Sequence, residues 1–181
     1  MENFKRKEVS KYEKLLYRMI IDSLWNTNSR ENSNSIKIKF LCIPSFTDYY
    51  LLQLDYNDLD FYWHRTTWKR DSDKKFLYYW MEFALEENQI LPLELSCIDQ
   101  EGKASIIQIQ DLLNQLETFR IKPYLNSKNI LVGRDGELIR LELLNQNTKF
   151  QVEWITSSTP NEWEELDTLT DLFYKINSSL L

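Results

Sequence analysis

Apolar residues first recur at Val9, Tyr12, Leu16, Met19, Ile20 and Leu24, a three-and-four spacing that puts them on one helical face and predicts a helix over 5–25. Residues 26–35 are almost wholly Asn, Ser, Thr and charge, whose side chains compete for backbone hydrogen bonds, so the helix is expected to stop there in a flexible loop. Ile36, Ile38 and Phe40 then alternate with Lys37 and Lys39 as a strand with one buried face does, and Pro44 closes it. A second strand is expected over 49–54, turn residues Asp55 to Asp58 follow, and Phe61 and Trp63 lead an extended run towards Trp68.

Helical spacing returns at Phe76, Tyr79, Trp80, Phe83 and Ala84, with Ser72 and Asp73 as capping candidates, predicting a helix over 73–88. Leu91, Leu93, Leu95 and Cys97 alternate like a strand, and Gly102 marks 99–103 as its exit turn. Ser105 and Gln108 have the spacing of a capping box ahead of Ile106, Ile109, Leu113 and Leu116, giving a third helix that ends before Pro123. Ile130 and Val132 lead into Asp135-Gly136, a tight-turn pair, with returning strands over 138–144 and through Phe150, Val152 and Trp154. Thr159, Pro160 and Glu162 then open a last helix whose face is Trp163, Leu166, Leu169, Phe173 and Ile176. Strands in hairpins, separated by helices on short links, predict an α+β fold: antiparallel sheet meanders with about four helices packed mainly on one face.

The chain has 181 residues, 43% of them hydrophobic, which suits one domain over 1–181 with its own core. Its net charge is −6, and its 22 Lys and Arg are spread out instead of forming a stripe, which argues against a nucleic-acid groove. The apolar cluster at 15–25 is broken by Arg18 and Asp22, unlike a secretory signal, and no run is long enough for a membrane span. Cys42 and Cys97 lie in apolar segments as reduced thiols would, so a cytoplasmic location is expected.

Only three glycines occur, Gly102, Gly133 and Gly136, so no phosphate-binding loop or dinucleotide fingerprint can be written and no cofactor is expected. The G-x-x-G at 133–136 lies between expected strands and reads as a hairpin turn. A single histidine, His64, rules out a multi-histidine metal site. Asp55, Asn57, Asp58 and Asp60 lack the glycine and glutamate of an EF-hand loop, and Glu86 and Glu87 are neighbours that do not face each other on a helix.

The most unusual feature is aromatic density between Phe46 and Phe83, more than a one-sided sheet can bury. Tyr49, Tyr56, Tyr62, Trp63, Trp68 and Tyr78 are therefore the candidate partner-binding residues, and a basic protein partner suits the acidic chain. The alternative is an enzyme or small-ligand binder with a pocket between sheet and helices, using carboxylates such as Asp55, Asp58 or Glu82, with His64. Over about 104–177, Asp135-Gly136, the strand ending in Trp154 and the opening from Pro160 to Trp163 resemble the C-terminal pattern of small uncharacterised bacterial α+β proteins. Some similar-looking small acidic proteins are immunity proteins against toxins, a role the resemblance admits while carrying over no site residue; the acidic charge and the aromatics from Tyr49 to Trp80 are what point to a non-enzymatic interaction module, an immunity or regulatory factor.

Overall fold

The computed structural model describes residues 2–26, 36–44, 48–57, 60–87, 90, 92–118, 137–144, 149–156 and 164–180. Four helices and six strands follow in the order α1 (Glu2–Asn26), β1 (Ile36–Ile43), β2 (Tyr49–Asn57), β3 (Asp60–Trp68), α2 (Arg70–Glu87), β4 (Cys97–Ala104), α3 (Ile106–Thr118), β5 (Leu138–Leu144), β6 (Lys149–Ile155) and α4 (Glu164–Ser179). The strands form one open antiparallel sheet in the order β4-β3-β2-β1-β5-β6. The α+β antiparallel architecture is the one the hydrophobic pattern predicts.

The helices divide between the two faces, a correction to the expectation that one face carries most of them. Strand parity explains it. Ile38, Phe40 and Cys42 of β1, Leu52 and Leu54 of β2, and Ile139 and Leu141 of β5 face α3 and α4, packing with Ile109, Leu112, Leu169 and Phe173. The alternate positions Leu41, Ile43, Tyr49, Leu51 and Trp68 face the other way, onto Ile20, Ile21 and Leu24 of α1, with Leu77 of α2 beside them. Strands apolar on both faces need cover on both. Tyr12 of α1 packs with Trp80 and Ala84 of α2, so the second layer holds together by helix–helix contact.

Electrostatic contacts fix where α1 stands. The Arg140 guanidinium lies 5.2 Å over the Trp25 ring. It also makes paired bonds to Glu153 Oε2, 2.8 Å from Nε and 2.7 Å from Nη2. Lys39 Nζ donates to the Trp25 carbonyl at 3.3 Å. These contacts set the C-terminal end of α1 above β1, β5 and β6, on the opposite side of the sheet from β4.

Several elements differ from the pattern-based reading: β2 runs on through Asp55 to Asn57, where turn residues are expected, and residues 92–96 lead into β4 without forming the strand expected from Leu91 to Cys97. The helix expected at 73–88 begins at Arg70, and Asp73 lies inside its first turn with a buried side chain. Its carboxylate accepts from Trp68 Nε1 at 2.6 Å, from the Ser96 N–H at 2.7 Å, and from the Ser96 hydroxyl. It is a clamp between β3, α2 and the segment before β4, not a cap. Residues 99–103, expected to turn at Gly102, instead form the body of β4. A Cβ at Gly102 would lie 2.9 Å from Trp63 Nε1, so the glycine makes room for an indole ring on the neighbouring strand. The expected loop at 26–35, apart from Asn26, the hairpin turn at 135–136 and the cap at Thr159 to Glu162 lie outside the described residues.

Candidate functional site

On the α1–α2 face the strands change character along their length. β2 presents Tyr49, Leu51, Gln53 and Asp55; β3, running back, presents Trp68, Thr66, His64 and Tyr62; and β4 presents Cys97, Asp99, Glu101 and Lys103, in matched rows. The first rows are core beneath α1 and α2, and the last are polar. Gln53, Asp55, Tyr62, His64, Asp99, Glu101 and Lys103, together with Trp63 and Gly102, line a cleft of about 540 Å³.

Three carboxylates and one ammonium line this cleft, so its charge is negative. Lys37 and Lys39 of β1 stand opposite Asp55 and Gln53, so basic charge lies towards the middle of the sheet and acidic charge towards the β4 edge. Asp99 is held in place: Thr66 Oγ1 donates to its Oδ1 at 2.6 Å, and His64 Nε2 lies 3.4 Å from the same oxygen. Lys103 Nζ is 5.1 Å from the Tyr62 ring centroid, a cation–π contact that draws the ammonium onto the aromatic rim. Among the described residues, no group of three or more His, Cys, Asp and Glu side chains is arranged to hold a metal ion.

The six candidate aromatics do not form one surface. Trp68 and Tyr49 are buried, with rings 5.0 Å apart edge to face, so neither can meet a partner. This corrects their place among the binding candidates: the rings fill the core between sheet and α1, and Asp73 satisfies the Trp68 N–H. Tyr56 stacks on Phe61 at 4.4 Å, and Trp63 packs against the α3–α4 core. Only Tyr62, at 42% exposure, combines an open ring with a place in the cleft. Tyr78, on α2, is 63% exposed beside Tyr79 and outside the cleft; a hydrogen bond to Glu82 raises its hydroxyl pKa.

Of the alternative pocket residues, Asp55 and His64 come together in the cleft, Glu82 is engaged on α2, and Asp58 lies outside the described residues. The sequence pattern places Asp99, Glu101 and Lys103 in a turn, and only the β3–β4 register brings them to His64 and Tyr62. Their alternation within one short segment was the available signal.

A second polar cluster lies on the α3–α4 face. Cys42 Sγ is 3.6 Å from the Tyr174 hydroxyl, which donates to the Glu137 carboxylate. The Arg65 guanidinium lies 4.9 Å over the Tyr50 ring. Burial pushes the Cys42 thiol up to about 11, and burial with the nearby Asp99 charge pushes Cys97 up to about 11. Both thiols are therefore protonated at neutral pH, the unreactive form. No protein family, curated protein or solved structure matches the chain.

Proposed function

We propose that this protein is a non-enzymatic binding module whose acidic cleft receives basic side chains of a partner protein, the mode of action of a small immunity or regulatory factor working in the cytoplasm. The observation that carries this reading is the convergence of Asp55, Asp99 and Glu101 with the exposed ring of Tyr62, on the part of the sheet nearest the β4 edge. Carboxylates held by neighbours, as Asp99 is by Thr66, accept a cation with little reorganisation. An aromatic rim beside them stacks on a guanidinium or covers a lysine stem. The net charge of −6 adds long-range attraction for a basic partner and raises its association rate. Two thiols raised to about 11 weigh against thiolate catalysis.

The test is retention from a lysate of the source cell on the immobilised protein, with Asp99→Asn/Glu101→Gln as the control. A basic protein retained at low salt and at least roughly tenfold more weakly by the control supports the reading, because each tenfold step needs about 1.4 kcal/mol. Retention must also weaken as salt screens the cleft. Equal retention by both proteins refutes the reading, and a small cationic metabolite recovered in place of a protein replaces it with a ligand-binding function.

A further inference from the structure

We infer that the partner docks as an extended segment that adds a seventh strand beside β4, with basic side chains opposite Asp99 and Glu101. The inference rests on the cleft reading above and specifies how the partner enters. Among the described residues, β4 is an outer strand of the open sheet, and Ile98, Asp99, Gln100, Glu101 and Lys103 are exposed along it. Hydrogen-bond phase decides which backbone groups face outwards. The Lys69 N–H donates to the Ser96 carbonyl at 2.9 Å, which makes this the hydrogen-bonded type of antiparallel pair. Alternation along the register then turns the backbone groups of Ile98, Gln100 and Gly102 towards β3, and those of Cys97, Asp99, Glu101 and Lys103 towards the open edge.

The same residues that offer outward N–H and C=O groups thus carry the acidic side chains of the cleft face. A strand pairing there places the residues directly opposite Asp99 and Glu101 on that face, about 5 Å away between Cβ atoms, where lysine or arginine complements them. The intervening residues fall on the opposite face, where Ile98 is 48% exposed and favours an apolar neighbour. The segment therefore reads basic, any, basic, apolar. Main-chain bonds supply affinity, and the alternating side chains supply specificity.

The probe is a short acetylated and amidated peptide alternating lysine with threonine and valine, titrated by calorimetry against the full chain at low salt. Binding is expected, and N-methylation of the lysine amides, which face β4 in the docked strand, weakens it about tenfold or more. N-methylation of the threonine and valine amides, which face away, leaves binding within about twofold. Glu101→Gln removes only the charge. Glu101→Pro also removes an outward N–H while leaving the bonds to β3, so it binds several-fold more weakly than Glu101→Gln. Circular dichroism identifies any variant that has lost its fold, and the two methylated peptides then decide the matter on the native chain alone.

If both methylated peptides, or a lysine-rich helical peptide of equal charge, bind as well as the parent, strand addition is overturned while the acidic-cleft reading stands. If no basic peptide binds in any form, both fall. A chain that sediments alone as a dimer, and becomes monomeric on Glu101→Pro, also overturns the inference, because the edge is then taken by a second copy.

Discussion

Asp73 offers the sharpest test of how the cleft's scaffold is held. Its carboxylate is 5% exposed and receives the indole N–H of Trp68, itself 1% exposed, together with both donors of Ser96. Truncation in Asp73→Ala leaves the buried indole N–H without an acceptor, at roughly 1–3 kcal/mol, and removes the bonds to exposed Ser96, which water replaces in part, for an expected loss of about 2–4 kcal/mol. Asp73→Asn keeps one carbonyl oxygen for the indole and Ser96 N–H groups and loses only their charge assistance, so a loss of about 1–3 kcal/mol is expected. Burial pushes the Asp73 carboxyl pKa up, but the hydrogen bonds from Ser96 and Trp68 outweigh it and leave the group below its ordinary value. A depressed folded-state pKa means that the stabilisation is fully present above the unfolded carboxylate value of about 3.9 and is lost as pH falls through the lower, folded value. Urea unfolding followed by circular dichroism, repeated from neutral pH into acid, measures both effects. The native chain and Asp73→Asn are expected to differ most at neutral pH and to converge in acid. An Asp73→Ala loss below about 0.5 kcal/mol, or a gap between native and Asn that stays constant with pH, refutes the assignment of the clamp.

Two further outcomes follow from the packing. Gly102→Ala sets an overpacking cost of about 1–3 kcal/mol against about 0.5–1 kcal/mol gained by removing a strand glycine, so net destabilisation is expected in urea unfolding. Trp63→Leu in the same chain recovers part of it, and a stabilised Gly102→Ala shows that the indole moves aside freely. Iodoacetamide is expected to alkylate both thiols slowly at neutral pH, half-buried Cys97 before buried Cys42, with rates climbing as pH approaches 11; mass spectrometry showing rapid labelling of Cys42 at pH 7 contradicts its buried, protonated state.

The elements were legible because their signals are local, and the site was not because its signal is register. Helical spacing in α1, α2 and α3, and alternation in β1, β5 and β6, can be read within a dozen residues. The two-sided cover of the sheet was also written locally, in the unbroken apolar run from Phe40 to Ile43, but the alternation of Ile36 to Phe40 just before it suggests a one-sided strand. Gly102 misled for a physical reason: absence of a Cβ serves a turn and a close ring contact equally well, and only knowing that Trp63 lies opposite separates them. Trp68 misled likewise, since a large ring in an aromatic-rich stretch gives no sign of its burial until Asp73 is seen closing on its N–H.

The position of the cleft follows from a gradient that no single segment reveals. Side chains on the α1–α2 face run from Tyr49 and Leu51 to Gln53 and Asp55 along β2, and from Trp68 and Thr66 to His64 and Tyr62 along β3, so apolar cover is needed at one end and not at the other. The contacts of Trp25 with Arg140 and Lys39 draw the end of α1 towards β1 and β5. β4, paired among the described residues only to β3, then carries its acidic alternation of Asp99 and Glu101 to the outer side of the sheet. An outer strand with charged side chains resists indiscriminate pairing with other chains, and on the cleft face Asp99 and Glu101, with Lys103 drawn onto the Tyr62 ring, repel acidic strands more than basic ones. The charges that guard this edge are therefore the same ones on which the proposed preference for a basic partner rests.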